Sequence, residues 1–519
     1  MDSNERRHIP VIDVFAGPGG LGEGFSALRE KTGYPFRIHL SVEKDKTAWK
    51  TLRLRSFFRQ FLASGLRVPD EYYEHVTEPT TYTENDLFKR YPVQAKAASE
   101  EAKCLQLGDS TADMEIKKAI SKRLKGHPHW VLIGGPPCQA YSLAGRSRNA
   151  KNATFQDDEK HFLYREYLKI IAQHWPSVFV MENVKGMLSA KVKGTSIFPA
   201  VHGDLQNPGK AVRVTQSHRY RIFSLDIKEN CLDFQPSDFV VCTEDYGIPQ
   251  ARHRVILLGV REDLINGTPI PVLERADEQR SIESVLTLPQ LRSGLSRNAL
   301  TSDSWENWRR CVAQALSSAW MRDISPAIHA RMADAVLALN TRQRELRQTS
   351  SGRGRMPAFA DDWFWDERLS VALNHEARSH REDDLHRYLF ASCFAAEHGR
   401  APSLGDFPTG LLPEHANAAE AANGGGQFAD RFRVQCYGRP ATTITSHISK
   451  DGHYYIHPDP TQCRSLTVRE AARIQTFPDN YFFCGPRTAQ YHQVGNAVPP
   501  LLARSIARIV HGVLKGQGQ

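Results

Sequence analysis

The sequence predicts an α/β fold built on an open sheet, with a second domain between residues 261 and 463. Two short apolar runs carry the first part of this prediction. Residues 9–16 (IPVIDVFA) and 130–133 (WVLI) each suit a buried strand, and each is followed by a glycine-containing turn. Residues 261–440 lack the alternation typical of half-buried strands, and several of their segments have helical spacing. We therefore expect that region to fold apart from the sheet.

Length and composition indicate a soluble protein of more than one domain. The chain has 519 residues, of which 40% are hydrophobic and 24% are charged, as in ordinary globular proteins. No apolar run approaches the ~18 residues of a membrane helix, and the N-terminal segment lacks the apolar core of a signal peptide. The nine cysteines contain no CxxC pair, which argues against a disulfide framework and a zinc site. We expect a cytoplasmic protein with reduced thiols and no bound metal.

The net charge of +9 favours a polyanionic partner. Between residues 261 and 463 the chain has a single lysine, so its cations there are almost all arginine. The planar guanidinium suits guanine edges and phosphates better than an ammonium group does. A GC-rich coding bias would produce the same excess, and both interpretations remain open at this point.

The first strand is followed by a glycine-rich turn, GPGGLGEGF (17–25), which opens a helix. Gly17, Gly19 and Gly20 let the backbone turn tightly and approach a ligand at the helix N-terminus. Such a turn can equally bind a dinucleotide or no ligand. The second strand (37–45) reaches Glu43, roughly 20 residues beyond the glycines, where a carboxylate can accept from both ribose hydroxyls.

Cys138 follows the strand at 130–133 on a stiff loop. Pro136 and Pro137 fix their backbone φ angles and exclude a helix there. Open α/β sheets place their chemistry just past the carboxyl ends of strands, which favours a reactive thiol. The alternative is a small buried cysteine, which is what most intracellular cysteines are.

Two further segments carry candidate polar groups. Residues 177–184 (SVFVMENV) predict a fifth strand in which Glu182 lies beside apolar residues, where a carboxylate is costly without partners. Residues 239–260 predict two strands around a turn at 247–249. Arg252 and Arg254 alternate with His253, so both are expected on one face. That face could be solvated, but the other candidates favour an active site.

Taken together, these segments resemble the DNA (cytosine-5) methyltransferases, of the bacterial restriction–modification type. GGPPCQAYS (134–142) resembles that family's Pro-Cys nucleophile loop. Five other segments match the family in the expected order: DVFAGPGGLGEGF (13–25), MENVKGML (181–188), QARHR (250–254), RSLTVREAARIQTFPDNY (464–481) and QVGNAVPP (493–500). The resemblance covers roughly residues 9–260 and 431–512.

The resemblance implies a Rossmann-like sheet that uses S-adenosylmethionine, joined to a target-recognition domain. It places the catalytic domain at 1–260, with insertions at 46–103 and 191–235. The target-recognition domain then spans 261–463, and residues 464–519 return to the catalytic domain.

The resemblance also assigns roles to individual residues. Cys138 would add to carbon 6 of a flipped-out cytosine, Glu182 would bind the base's Watson–Crick edge, and Arg254, supported by Arg252, would hold its carbonyl oxygen. The residues implied to bind the cofactor are Phe15, Gly17, Gly19, Gly20, Glu43, Asp109, Pro137 and Asn496. The residues implied to contact DNA are Gln139, Ser142, Arg146 and Thr443. A surface acid at a strand end is the alternative for Asp109, and Lys44 replaces a bulky apolar residue of the family.

The expected activity is methylation of carbon 5 of cytosine in a specific DNA sequence. The tRNA-methylating branch shares these motifs but has a smaller recognition region, and a silent DNA-binding protein on this fold would have lost Cys138 or Glu182. A nicotinamide-dependent dehydrogenase explains the glycines and Glu43, but not Cys138, Glu182 and the arginines together. The expected partners are double-stranded DNA, bound by a monomer, and a cognate restriction or defence system. The recognition sequence does not follow from these residues.

Overall fold

The chain forms two compact units, which a computed structural model describes. The first comprises Met1–Glu278 and Asn496–Gln519, and the second comprises Gln279–Gly495. The described residues are 8–31, 33–137, 163–192, 195–215, 217–227, 235–265, 267, 269–296, 302–341, 352, 354–357, 359–414 and 429–516. Residues 261–278 fall in the first unit and residues 464–495 in the second, so the division differs from the predicted domain limits.

The first unit is built on a mixed sheet, to which eight of the described strands belong, in the order β3-β2-β1-β4-β5-β11-β8 with β9 also on β11. The strands of this unit are β1 (Ile9–Val14), β2 (Phe36–Glu43), β3 (Ala102–Cys104), β4 (Val131–Gly134), β5 (Val178–Val184), β6 (Lys191–Val192), β7 (Thr195–Ser196), β8 (Tyr220–Phe223), β9 (Val240–Cys242), β10 (Gln250–Ala251) and β11 (His253–Arg261). Strands β1 to β5 pair in parallel, whereas β11 is antiparallel to β5, β8 and β9. The predicted α/β sheet is confirmed.

Helices cover the sheet in the first unit. They are α1 (Gly20–Ser26), α2 (Lys46–Ala63), α3 (Asp70–Thr77), α4 (Glu84–Arg90), α5 (Pro92–Glu101), α6 (Ser110–Arg123), α7 (Leu163–His174), α8 (Phe198–Gln206), α9 (Pro208–Val212) and α16 (Pro500–Lys515), the helix numbered last in chain order. Every residue of β4 is buried, as expected of a strand covered on both faces. The strand order reverses between β1 and β4, the place where open α/β sheets form their ligand crevice.

Four helices, α2 to α5, occupy most of residues 46–103, and buried charges join them to α1. Arg55 of α2 donates from Nε to Glu23 of α1 at 2.9 Å. Arg59 lies 3.6 Å from the same carboxylate and 2.6 Å from Glu101 of α5. Burial alone would raise the pKa of Glu23, but Arg55 and Arg59 together lower it. The helix that follows the glycine-rich turn is therefore held by an ion-pair network.

Asp13 of β1 carries a buried carboxyl group. It is 1% exposed, and neither of its carboxylate oxygens has a hydrogen-bond partner among the residues the structure describes. Burial raises the pKa of Asp13 to about 8, against the opposing charge of Arg59. The folded protein therefore keeps this carboxyl protonated at neutral pH.

We expect the stability of the protein to fall as the pH rises from 5.5 to 8, in part because of Asp13. Over this range the unfolded chain, with an Asp pKa of about 3.9, has released the proton that the folded protein retains, which costs up to about 1.4 kcal/mol per pH unit. Asp13→Asn should flatten this slope, and the exposed Asp70→Asn should not. Urea unfolding at both pH values measures the slopes; identical slopes for wild type and Asp13→Asn would contradict the assignment.

The second unit is mainly helical, as predicted for the middle of the chain. Its helices are α10 (Trp305–Gln314), α11 (Pro326–Thr341), α12 (Asp361–Phe364), α13 (Glu382–His398), α14 (Val468–Ile474) and α15 (Arg487–Asn496), the last ending at the unit boundary. Three strands of two residues each, β12 (Gly294–Leu295), β13 (Ser379–His380) and β14 (Ala441–Thr442), complete it. Trp308, Met332 and Leu389 are buried together in its core.

Residues 464–481 belong to the second unit because their arginines are bonded inside it. Arg469 donates to the carbonyl oxygens of Leu373 and Tyr481 at 2.7 and 2.6 Å. Arg473 donates to Asp479 at 2.7 Å and to Thr287 at 2.8 Å. Both arginines are fully buried. A buried guanidinium without such partners would be costly, so these contacts fix the segment's place.

The predicted capping box begins α14. Thr467 is the N-cap residue and accepts from the Glu470 backbone N–H at 3.2 Å, while Glu470 accepts from the Thr467 N–H at 2.7 Å. Arg464 donates to both Glu470 oxygens, at 2.6 and 2.7 Å. Burial alone would raise the pKa of Glu470, but Arg464 holds it well below its usual range.

One helical stretch, Arg487–Lys515, is long and apolar enough to pass a length-and-composition test for a membrane span. It comprises α15 and α16, which are separated at residues 497–499, and 72% of its most apolar window is buried within the protein. A core helix of a folded domain passes the same test, so this finding is weak support for a membrane span.

Candidate active site

The turn after β1 has an unusual backbone. Phe15, the first residue beyond β1, has φ +54°, a conformation that bulky side chains rarely adopt. Gly19, the N-cap residue of α1, has φ +97°, which glycine adopts without steric cost. Such conformations concentrate at ligand sites. Among the described residues other than its chain neighbours, no atom lies within 4 Å of the position that a Cβ on Gly17 would take, which leaves open space beside this turn.

Gly20 is required for packing inside the first unit. A Cβ at this position would lie 2.2 Å from the backbone oxygen of Val498, just before α16. Close approach of these two chain segments therefore explains the glycine. The sequence predicted a cofactor contact here, and the structure adds a packing requirement that spacing alone did not reveal.

Glu43 ties the end of β2 to the glycine-rich turn. Its Oε2 accepts from the Gly17 N–H at 2.8 Å, and its Oε1 accepts from the Asp45 N–H at 2.8 Å. Burial raises the pKa of Glu43, and these two N–H donors oppose the increase. The carboxylate thus lies beside the turn, at the edge of the sheet where the strand order reverses.

The other predicted cofactor residues have three different settings. Asp109 is the N-cap residue of α6, and its Oδ1 accepts from the N–H groups of Thr111 and Ala112 at 3.1 and 2.9 Å, which leaves Oδ2 for another partner. Asn496 is exposed at the end of α15. Pro137 is partly exposed beyond β4.

Glu182 and Arg254 meet at the carboxyl edge of the sheet. Arg254 Nε lies 3.0 Å from Glu182 Oε1, and the two side chains are only 15% and 14% exposed. Strand register brings them together: Arg254 of β11 lies opposite Val184 of β5, two residues from Glu182 on the same face. A Cβ on Gly135, just after β4, would lie 3.1 Å from Glu182 Oε2. The carboxylate therefore lies next to the start of the Cys138 loop.

Arg252 lies between β10 and β11 rather than within a strand. Its side chain is buried, with 2% of the residue exposed. Its backbone N–H donates to Thr243 Oγ1 at 3.2 Å, and its carbonyl accepts from the Thr243 N–H at 3.2 Å. The two arginines were expected to alternate along one strand. Arg254 does lie in β11, but Arg252 does not lie in a strand. Thr443 is half-buried in the second unit, directly after β14.

Cys138, Gln139, Ser142 and Arg146 lie outside the described residues, which end at Pro137 and resume at Leu163. The roles predicted for these four residues remain predictions.

Asn183 lies in the family-like segment MENVKGML (181–188) but is not among the predicted site residues. It is 4% exposed, and its Nδ2 donates to the carbonyl oxygen of Pro136 at 3.3 Å. Its Oδ1 accepts from the Val184 N–H at 2.8 Å. A buried amide within an apolar strand needs such partners, and that cost is the signal that could have identified it. Asn183 joins β5 to the start of the Cys138 loop.

We expect Asn183→Ala to lower kcat on the order of 10- to 100-fold, because a small displacement of a catalytic loop costs that much. The Kd for S-adenosylmethionine should stay near the wild-type value. Steady-state kinetics and isothermal titration calorimetry measure the two quantities. Asn207→Ala, which removes a similar hydrogen bond to the Lys210 N–H at the start of α9, serves as the control and should leave kcat intact. A normal kcat in Asn183→Ala would contradict a positioning role.

Comparisons with known proteins identify the family. The family model for C-5 cytosine-specific DNA methylases matches residues 100–209 and 227–511. The type II methyltransferase M.Bpa9945I of Bacillus paralicheniformis is 34% identical over 98% of this chain and 99% of its own. The type II methyltransferase M.AgeI of Thalassovita gelatinovora is 26% identical over 97% of this chain and 99% of its own.

A solved structure shares the fold. It is the crystal structure of an E. coli prophage-encoded protein described as a DNA modification methyltransferase, with a TM-score of 0.50 and 18% identity over 98% of this chain and 99% of that chain. The family match and the full-length relatives settle the identity: the chain belongs to the C-5 cytosine-specific DNA methylase family and is a DNA (cytosine-5) methyltransferase, which uses S-adenosylmethionine as methyl donor.

Proposed function

We propose that the protein methylates carbon 5 of a cytosine that is flipped out of a specific DNA sequence, through a covalent adduct with Cys138. The observation that carries this proposal is the Glu182–Arg254 pair, 3.0 Å apart beside the loop that leads to Cys138. A carboxylate and a guanidinium at one sheet edge offer complementary groups to a pyrimidine's Watson–Crick edge and carbonyl oxygen. A base inside a duplex cannot reach such a site, so flipping is required.

The cofactor's place in this proposal is the turn after β1. The open space beside Gly17 and the Glu43 carboxylate suit a ligand with a ribose, since the acid can accept from both hydroxyls. Phe15 would lie against the adenine, with Asp109 Oδ2 accepting from its amino group. Gly19, Gly20, Pro137 and Asn496 would complete the site. When bound, S-adenosylmethionine supplies an electrophilic methyl group.

Carbon 5 of cytosine is too weak a nucleophile to attack a methyl group unaided. The enzyme therefore has to supply a nucleophile of its own, which activates the ring. Attack of the Cys138 thiolate on carbon 6 forms an Sγ–C6 bond and breaks the ring's aromaticity, leaving carbon 5 as an enamine carbon able to attack the methyl group. A base then removes the proton from carbon 5, and the electron pair that returns to the ring expels the thiolate. The bond between carbon 5 and the methyl group would form as the methyl–sulfonium bond breaks, with the neutral thioether as leaving group, and expulsion of the thiolate regenerates the enzyme.

Glu182 and Arg254 stabilise the addition step in this scheme. Glu182, sharing a proton with ring nitrogen 3, bonds more strongly as negative charge develops there, so it favours the transition state over the bound base. Arg254 would hold the carbonyl oxygen at carbon 2. Burial lowers the pKa of Arg254, and the Glu182 carboxylate opposes this. Arg252, held by the Thr243 backbone and hydroxyl, would support the pocket.

We assign target recognition to the region predicted at 261–463, most of which lies in the second unit. Apart from one lysine, the Lys and Arg residues of this region are all arginines. Their guanidinium groups suit guanine edges and phosphates. Thr443 would lie beside the target base, and Gln139, Ser142 and Arg146 would contact the DNA strand around it. Of the segment predicted at 464–519, residues 496–519 fall in the first unit and would support the catalytic domain. We expect a monomer acting in the bacterial cytoplasm, beside a cognate restriction or defence system; the type II methyltransferases among its relatives support the restriction–modification setting.

Covalent trapping tests the proposal and separates it from its alternatives. DNA in which 5-fluorocytosine replaces cytosine blocks removal of the substituent at carbon 5, so the adduct accumulates. We expect a denaturation-resistant complex between wild-type protein and this DNA, dependent on S-adenosylmethionine and absent in Cys138→Ser. The same assay with tRNA should give none. Trapping on tRNA alone would assign the RNA activity, and trapping on neither would favour a silent DNA-binding protein.

A further inference from the structure

Three side chains with metal-binding atoms, those of Cys242, Glu244 and His253, come together where β9 pairs with β11. Cys242 of β9 pairs directly with His253 of β11, so their side chains share a face of the sheet. Glu244 follows in a short 3-10 turn, Thr243–Tyr246. The Cys242 thiol, a Glu244 carboxylate oxygen and a His253 ring nitrogen all lie within 4.8 Å of one another. His253 Nε2 lies 2.7 Å from Glu244 Oε1.

The Glu244 carboxylate is only half satisfied. Its Oε2 is buried and has no hydrogen-bond partner within the described part of the chain, and the side chain as a whole is 12% exposed. A buried carboxylate oxygen without a donor costs free energy. A cation bound beside it would remove that cost, which is an observation independent of the spacing of the three residues.

The surroundings of Cys242 carry negative charge. Burial, and then the charges of Glu244 and Asp245, raise the pKa of the Cys242 thiol. Asp245 also lies 3.4 Å from Arg275, whose other ion pair is with Asp226 at 2.7 Å. These two aspartates are therefore engaged elsewhere, and Glu244 is the acid left to act as a ligand beside the thiol and the imidazole.

We propose that Cys242, Glu244 and His253 bind one Zn²⁺ ion, with water as the fourth ligand. A thiolate, an imidazole and a carboxylate are the ligand types that Zn²⁺ takes, whereas Mg²⁺ and Ca²⁺ prefer all-oxygen sites. Bonds of about 2.0–2.3 Å place tetrahedral ligands about 3.3–3.6 Å apart. The 2.7 Å contact between His253 and Glu244 would open slightly, and the thiol proton would be released to solvent.

Sequence spacing does not reveal this site, because the ligands stand as C-x-E followed nine residues later by a histidine, without a CxxC pair. Strand pairing between β9 and β11 creates it. The proposed site departs from the sequence-based expectation of no metal.

The site is linked to the proposed catalytic arginine through one residue. Arg254 Nη1 donates to the carbonyl oxygen of His253 at 2.8 Å, while Arg254 Nε faces Glu182. Coordination of the His253 ring by Zn²⁺ would move His253, whose carbonyl oxygen accepts the hydrogen bond that orients Arg254. We expect Zn²⁺ to inhibit methyl transfer reversibly, a consequence that rests on the proposed function.

Metal binding is tested first, in a Cys138→Ser background so that the catalytic thiol cannot contribute. Titration of Zn²⁺ by calorimetry should give one site per chain with release of a proton. Co²⁺ as a probe should give the intense absorption of a tetrahedral thiolate site. Cys242→Ser should remove the thiolate absorption, and both Cys242→Ser and His253→Gln should weaken binding at least 10-fold. Cys436→Ser, a half-buried thiol outside the group, is the control.

Two outcomes would overturn the site itself: no stoichiometric binding, or binding that neither Cys242→Ser nor His253→Gln weakens. Circular dichroism shows whether each variant is folded, and Glu244→Gln provides a third, conservative probe.

The link to catalysis is tested separately with Cys138 present. Zn²⁺ should inhibit wild-type methyl transfer at least 10-fold more strongly than it inhibits Cys242→Ser, and a chelator should restore the rate. Equal inhibition of both proteins would assign the effect to another thiol and overturn the link. Because the metal titration needs no turnover, failure of the proposed function would leave the binding result unaffected.

Discussion

We expect Cys138→Ser to abolish methyl transfer, with a loss of at least about 10⁴-fold in kcat, while DNA affinity should stay within a few-fold of wild type. A serine hydroxyl is far less ionised than a thiol at neutral pH and is the weaker nucleophile towards carbon 6, so the addition step fails. The side chains are nearly the same size, so loop and DNA contacts are expected to persist. Filter-based transfer of labelled methyl groups gives the rate, and fluorescence anisotropy with duplex DNA gives the affinity.

The control for this experiment is another cysteine exchanged in the same way. Cys484→Ser changes a half-buried thiol of the second unit and should leave turnover at the wild-type rate. Unchanged turnover in Cys138→Ser would remove the covalent mechanism and leave the Glu182–Arg254 pair to be explained by a different reaction.

We expect Glu182→Gln to lower kcat by on the order of 10²- to 10³-fold, with little change in the Kd for S-adenosylmethionine. The amide keeps the shape of the side chain but cannot share a proton with ring nitrogen 3, so an interaction that strengthens in the transition state is lost. A defect in kcat and in kcat/KM together, with normal cofactor binding, is the signature of such a loss. Presteady-state methyl transfer and calorimetry measure the two quantities.

Glu182→Gln also leaves Arg254 without its anion in a largely buried place, so some loss of stability accompanies the kinetic effect. The rates are therefore compared at a temperature where thermal unfolding shows each protein to be folded. Glu166→Gln, on α7, removes a carboxylate that lies 2.8 Å from Lys169 and serves as the control. If Glu182→Gln chiefly weakens S-adenosylmethionine binding, Glu182 faces the cofactor and its assignment to the base is wrong.

The positions of Glu43 and Glu182 in the candidate site could be predicted from local sequence because strand ends determine them. Glu43 and Glu182 lie on strands whose apolar runs define them, and parallel pairing brings their carboxyl ends to one edge. Arg254 was predicted to face the site because it and Arg252 alternate with His253 along one strand, but Arg252 lies outside that strand. The position of Arg254 depends on the antiparallel register of β11 with β5, which sequence spacing does not determine.

Other features depend on contacts between distant parts of the chain, which local patterns do not encode. Gly20 matches a family motif, yet the Val498 backbone 2.2 Å from its would-be Cβ supplies a packing reason for it. Arg469 and Arg473 look like ordinary charges on an amphipathic helix, but their carbonyl and carboxylate partners bury them in the second unit. Their partners lie up to 188 residues away, so the limits of the units could not be placed from composition.

The same reasoning applies to the proposed zinc site. Neither Cys242 nor His253 belongs to a recognisable metal-binding spacing, and only the pairing of β9 with β11 brings them together. The register of paired strands depends on the turn between them and on which face is buried. In this turn the Thr243 hydroxyl donates to the Gln250 carbonyl oxygen at 2.6 Å, which helps to fix the register of β9 with β11.

Base-level conversion sequencing of DNA from a methylation-free host that expresses this protein tests the central claim most directly. The predicted result is 5-methylcytosine confined to one sequence motif, present with the wild-type protein and absent with Cys138→Ser. Unmodified DNA from cells containing folded, wild-type protein would contradict the account and direct the search to RNA as substrate.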